Sequence, residues 1–290
     1  MTSASRRDFL LALGGAALLT RPGAVPLASA AAPLRFGLTP VVLDDQAGFL
    51  TAWAQWLSVR LGRPLTFVQR SRYREILDLL LSGRLDLAWI CGFPYIRHRH
   101  QLPLIVVPRF RGRPLYQSHL IVAKDALVQT WRDLEGRLFA WADPDSNSGY
   151  LYPRHLLTQA GKDPDHFFRR TFFTWGHPRS IEAVAVGLAD GAAVDSYVLE
   201  TLAQRQPALV DRVRVIARSP DFGFPPIVAS PALPESDREA LRRVLIDQVQ
   251  DAEGQALLRA LNLDNFSLEN PALYDGIAEM AAQGRGEVKA

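Results

Sequence analysis

Ser146, Asn147, Ser148 and Gly149 stand in a row between the turn Asp143-Pro144-Asp145 and an apolar-periodic stretch, YLYPRHLLTQAG. Capping a helix takes one side-chain oxygen. Three readily hydrogen-bonding side chains at a helix entrance, where the first amides lack partners and the helix dipole adds positive potential, make a donor set for a tetrahedral oxyanion. Gly149 would let such an anion approach the backbone. On these residues alone, a single capping serine with solvated neighbours is the other reading. Magnitudes ask for more than one loop. A hydrogen bond to a charged group is worth about 1.5–3 kcal/mol, whereas a micromolar site needs about 8 kcal/mol net after at least about 4 kcal/mol of association cost. An opposing lobe must close over the ligand.

The elements that would position this chemistry alternate between strand and helix. LRFGL, LTFVQ and LDLAWI read as strands, with helical-period runs GFLTAWAQWLSVRLG and YREILDLLLSG between them. LPLIVVP and SHLIVAKD are β-rich. A second set follows: RLFAWAD, RTFFTW, AAVDS and RVRVIA as strands, with GYLYPRHLLTQAG, RSIEAVAVGLADG and SYVLETLAQRQ as helices. The pattern predicts an α/β fold of two doubly wound lobes joined by two chain crossings, near 118–124 and 223–229. Residues 33–120 plus 225–290 form the first lobe and 121–224 the second, and the helical part from about 231 packs back on the first. Ligands of open α/β sheets gather at the carboxyl ends of strands. Those ends carry Cys91-Gly92-Phe93-Pro94-Tyr95, Asp143 to Gly149, Gly176-His177 and Asp195-Ser196-Tyr197.

Residues 1–30 read as an export leader. SRRDFL sets a twin-arginine pair before LLALGGAALL, and ASA at 28–30 is a small-residue cleavage site. No cysteine directly follows it for lipid attachment. The expected location is the periplasm, as a soluble protein. Arg6, Arg7 and Arg21 against Asp8 account for +2 of the formal net charge of +3, leaving +1, so no nucleic-acid partner is implied. With 48% hydrophobic residues the chain is globular. Its one cysteine, Cys91, excludes an intrachain disulfide and multi-cysteine metal sites. His98 and His100, within RHRHQ at 97–101, have no neighbouring carboxylate or second cysteine to complete a metal centre, and that stretch reads as a solvated basic turn.

Taken in order, YREILDLLLSGRLDLAWICGFPYI, DPDSNSGYLYP, GHPRSIEAVAVGLADGAAVDSYVLE and PPIVAS resemble the periplasmic phosphonate-, phosphate- and phosphite-binding proteins of ABC importers. The resemblance covers nearly all of the chain after the leader. It implies a type 2 periplasmic binding fold with hinge closure around a small oxyanion, an ABC permease as partner, no cofactor, no metal and no enzymatic activity. The family's anion loop falls on Asp143 to Gly149, with Asn147 in place of a threonine. Its Gly-His falls on Gly176-His177, its tyrosines on Tyr73 and Tyr95, and its acidic or amide residue on Asp195. Cys91-Gly92 stands where the family has Gly-Pro. The resemblance thus implies ligand contacts from Ser146, Asn147, Ser148, Gly149, His177, Asp195, Tyr73 and Tyr95. His177 would donate a charge-assisted bond, its pKa raised by the bound anion. Asp195 would accept from a protonated ligand oxygen or pair with an amino group.

Other readings stay open at this stage. Asp195 could cap the helix that starts at Ser196, His177 could be a loop histidine, and both tyrosines could close hydrophobic packing. The same clam-shell, expected to be a monomer, could serve a sensor that docks on a membrane histidine kinase and takes arsenite through Cys91. A third reading is a twin-arginine-exported hydrolase with Ser146 or Ser148 as nucleophile and His177 as base. GxSxG, GxGxxG, HExxH and P-loop motifs are missing from the sequence.

Overall fold

In the computed structural model, which describes residues 32–40 and 47–285, the short apolar runs pair as strands and the helical-period runs cover them. The leader expected over residues 1–30 lies outside the described residues. The first lobe opens with β1 (Leu34–Leu38), α1 (Ala47–Leu61), β2 (Leu65–Gln69), α2 (Tyr73–Leu81), β3 (Leu87–Trp89), α3 (Gly92–His98) and β4 (Leu104–Arg109). The short β5 (Leu115–Tyr116) leads into β6 (Ser118–Ala123), β7 (Leu138–Trp141), α4 (Tyr152–Gln159), β8 (Arg170–Phe173), α5 (His177–Ala185), β9 (Gly191–Asp195), α6 (Ser196–Arg205), α7 (Pro207–Val210) and β10 (Val213–Arg218). The return runs through β11 (Phe222–Gly223) to β12 (Ile227–Ala229), α8 (Glu235–Asp247), α9 (Ala252–Ala260), β13 (Asn265–Ser267) and α10 (Asp275–Arg285).

Two sheets result, one per lobe. The first has the order β13-β4-β12-β3-β1-β2 and the second β10-β6-β9-β7-β8. The helix-connected trios β2-β1-β3 and β9-β7-β8 are parallel, as crossover connections require. β12 and β6 run antiparallel to them, because each enters its sheet from the hinge end. Between the sheets, β5 and β11 pair antiparallel as a two-stranded hinge. The first crossing therefore lies ahead of 118–124, since Ser118–Ala123 is already a strand of the second sheet.

Packing follows the sequence periods. α2 buries Tyr73, Ile76, Leu77 and Leu80, an i, i+3, i+4, i+7 stripe. Trp53 of α1 stacks on Phe67 at 4.9 Å, beside Phe36 of β1. In the second lobe Phe139 stacks on Phe168 at 4.2 Å. α8 and the turn after it return to the first lobe. There Trp53 Nε1 donates to Gln248 at 3.3 Å, and Arg63 pairs with Asp237 at 2.8 Å. Among the described residues no helix is long and apolar enough to cross a membrane.

Candidate functional site

β7 ends against the turn that carries the serine-rich loop. Asp143 holds that turn, accepting from the Asp145 amide at 2.8 Å. The helix expected over 149–161 starts as a π turn, Asn147–Leu151, before α4. Leu151 N reaches back to Ser146 O at 3.0 Å, and Ser146 Oγ caps the turn by accepting from Gly149 N at 3.0 Å. The wider π turn spreads the first amides and side chains at this entrance, a geometry frequent at functional sites. Ser146, Asn147 and Ser148 are all fully buried. Gly149 is demanded by protein packing. A Cβ there would lie 2.4 Å from Ala142 Cβ and 3.0 Å from His177 Cε1.

His177 begins α5, and its ring faces the same loop, with Nε2 3.4 Å from Ser146 Oγ. On the other side of the ring, the Asp195 amide donates to Nδ1 at 3.3 Å. An N–H aimed at Nδ1 requires that nitrogen to be the acceptor, so the ring proton sits on Nε2. Burial alone pushes the His177 pKa down to about 3. Without a bound anion the imidazole is a neutral donor. This tautomer also opposes the hydrolase reading, because Nε2–H cannot take a proton from a serine.

Asp195 does two jobs. Its Oδ1 caps α6 by accepting from Tyr197 N at 2.8 Å and Val198 N at 3.3 Å. Burial, aided by Glu200, raises its pKa to about 7 in spite of those two bonds.

The first lobe and the hinge complete the site. Cys91 Sγ accepts from Asn147 N at 3.2 Å, across the cleft. Burial raises the Cys91 pKa to about 11, so it is a thiol. Tyr116, on hinge strand β5, accepts from Asn147 Nδ2 at 3.0 Å. Asn147 thus spends its backbone N–H and one Nδ2–H on protein groups and keeps a second Nδ2–H. Ser118 Oγ, at the start of β6, donates to Ser148 O at 2.7 Å. The buried Ser148 hydroxyl lies near the Tyr116 phenol, but it meets no partner with hydrogen-bond geometry, and neither does Asn147 Oδ1. Tyr116 and Ser118 were missed in the sequence. Their signal was position, a phenol and a hydroxyl beside the chain crossing.

Tyr73 begins α2 and is buried, its amide donating to Asp143 Oδ2 at 3.2 Å. Its phenol is buried within electrostatic reach of Cys91, Asp143 and Asp195, which together with burial keep it protonated. Tyr95 is not brought to this set. Its ring packs edge-on against Tyr274 at 4.9 Å in the core, and its charged neighbour is Arg99 near the far end of α3. One helical turn past Cys91, its side chain leaves on the face turned to α10. The assembled group is therefore Ser146, Asn147, Ser148, Gly149, His177 and Asp195 with Cys91, Tyr73 and Tyr116. Among the described residues no cluster of three metal-ligating side chains occurs.

Residues 36–274 match the family described as ABC transporter, phosphonate, periplasmic substrate-binding protein. The chain belongs to this family. Its members are substrate-binding proteins rather than enzymes. The phosphate-import protein PhnD of Mycolicibacterium smegmatis is 28% identical over 176 residues, 56% of this chain and 55% of that protein. The phosphonates-binding periplasmic protein of Escherichia coli is 24% identical over 258 residues, 86% of this chain and 75% of its own length. Among solved structures, a binding-protein component of an ABC phosphonate transporter from Pseudomonas aeruginosa superposes with a TM-score of 0.81. It is 22% identical, and the match covers 87% of this chain and 86% of that one, a likeness of fold.

Proposed function

We infer that this phosphonate-binding family member captures a small tetrahedral oxyanion between its lobes and delivers it to an ABC permease. The carrying observation is the Ser148 hydroxyl, buried and without a hydrogen-bond partner, in the loop whose Ser146 hydroxyl lies 3.4 Å from His177 Nε2. A buried donor left unmade costs about 1–3 kcal/mol, which a ligand oxygen repays on binding. Ser146 Oγ, already accepting from Gly149 N, keeps its own proton to donate outward. Tyr73 supplies a phenol from the first lobe. Tyr116 and Cys91 orient the loop through Asn147.

The donors are neutral, and Asp195 is the one carboxylate at the centre of the set. A bare dianion would face it directly. A singly protonated phosphonate, phosphite or phosphate can instead donate to it, and an aminophosphonate can pair with it. The chain works as a monomer in the periplasm, reached through the leader carrying Arg6 and Arg7.

A thermal-shift screen of the mature chain tests this, with phosphate, phosphite, methylphosphonate, aminoethylphosphonate, sulfate and arsenite. Binding at a hundredfold excess over Kd stabilises by about 2.7 kcal/mol. At least one phosphorus oxyacid should raise the melting temperature, and Ser148→Ala should abolish the shift. No shift with any of them overturns the reading. A shift with arsenite alone, lost in Cys91→Ala, would favour the sensor that docks on a membrane histidine kinase; the protonated Cys91 thiol argues against it.

A further inference from the structure

Arg97, in the stretch that reads as a solvated basic turn, reaches across the cleft instead. Its Nη1 donates to Asp145 Oδ1 at 2.9 Å, and Asp145 Oδ2 lies 3.6 Å from Arg74 Nε. The Asp145 side chain is only 7% exposed, between two first-lobe guanidinium groups. Two residues earlier, Asp143 takes the Tyr73 amide. A second grip lies alongside. Arg72 stacks over Trp175, 4.4 Å from the ring centroid, and Trp175 has a φ of 64°, a left-handed backbone that a bulky side chain rarely adopts. Trp175 directly precedes Gly176 and His177. Arg72, Arg74, Arg97, Asp143, Asp145 and Trp175 thus surround a cavity of about 430 Å³ at the mouth of the cleft.

Two of the three second-lobe segments that carry site residues, the loop at 146–149 and the turn before His177, are therefore held from the first lobe, one to three residues away from those residues. Exposed ion pairs ordinarily contribute little. Asp145 is different, because closure takes its carboxylate out of water. Without its cations, the closed state holds an unpaired buried charge that the open state rehydrates. We propose that the Arg97–Asp145–Arg74 clamp and the Arg72–Trp175 stack form an inter-lobe latch that sets the open–closed equilibrium, and with it the affinity and residence time of the bound ligand. The latch rests on the two-lobe fold and not on which anion binds. Apparent affinity scales with the closed fraction, so the latch tunes it without touching ligand.

The test compares the native chain with Arg97→Gln, Asp145→Asn and their double variant. Small-angle scattering without ligand should show a larger radius of gyration for each variant. Calorimetry and stopped-flow with methylphosphonate and with inorganic phosphate should show Kd raised about tenfold, mostly through faster release. The double variant should be no worse than the weaker-binding single, as for two partners of one interaction. Unchanged radii with unchanged Kd, or single effects that simply add, would overturn the latch. If the native chain binds neither probe, the oxyanion reading fails, and scattering alone then decides: equal radii overturn the latch, and larger radii in the variants uphold it.

Discussion

The backbone N–H of Asp195 donates to His177 Nδ1 at 3.3 Å, so one strand end sets the tautomer of a ring that begins the neighbouring helix. The imidazole can then donate from Nε2 without carrying charge. Replacing it by phenylalanine removes the donor, and Kd for methylphosphonate should rise at least about tenfold by calorimetry, from the loss of one hydrogen bond to an anion. His177→Gln, which keeps an N–H, should lose less.

The same histidine makes stability pH-dependent. Its folded pKa is about 3, below the ordinary 6.5. Above about pH 6.5 neither state is protonated and its contribution is fully present. As pH falls toward 3 only the unfolded chain gains the proton, so stability drops, by up to about 1.4 kcal/mol per pH unit. His177→Gln lacks that loss. Urea melts should show the variant gaining on the native chain between about pH 6.5 and pH 4. A constant difference would refute the neutral buried imidazole.

Asp195 works in the opposite direction. With its pKa raised to about 7, it is neutral at mildly acid pH and charged above. Folding favours its protonated form, so its contribution falls as pH rises from the ordinary carboxylate value toward 7. Anion binding should follow the same sign. Relative to Asp195→Asn, which retains a capping oxygen, the native protein should lose affinity for methylphosphonate as pH rises through about 7. Measuring both proteins across this range cancels the titration of the ligand itself.

Gly149→Ala and Ser148→Ala should separate packing from binding. The first drives a methyl to 2.4 Å from Ala142 Cβ and should destabilise by about 1–3 kcal/mol in urea melts. The second deletes a buried hydroxyl that has no partner, so ligand-free stability should change little while binding is lost.

Cys91 should be inert in the native state. Its thiol is buried, and its pKa of about 11 leaves almost no thiolate at neutral pH. A colorimetric thiol reagent should label it only after denaturation. Rapid labelling of the folded protein would contradict the contact with Asn147.

The alternation of apolar strands and 3.6-period helices was legible because both periods are local properties of the backbone. So was the clustering of small polar residues at strand ends, which pointed to the loop at 146–149, to His177 and to Asp195. The resemblance implies a ligand contact from Tyr95, yet one turn of α3 carries its ring to Tyr274. Helical phase of that kind depends on how the helix docks. The π turn at Asn147–Leu151 was likewise read as plain helix, since its register is fixed by Ser146, Gly149 and the Ala142 methyl packed beneath them.

By itself the sequence determined the two-lobed α/β architecture and the placement of a serine-rich loop at a helix entrance, because turn chemistry, capping residues and hydrophobic period all act within a few residues. Tertiary structure alone decided which groups face one another across the cleft. Cys91 and Tyr116 hold Asn147 through its backbone N–H and one Nδ2–H, Arg97 reaches Asp145 from a stretch that reads as a solvated turn, and burial strips His177 of its charge. The three cross-cleft pairings join residues 31 to 56 positions apart. Such distances close only when the chain has crossed its hinge and desolvated what lies between the lobes.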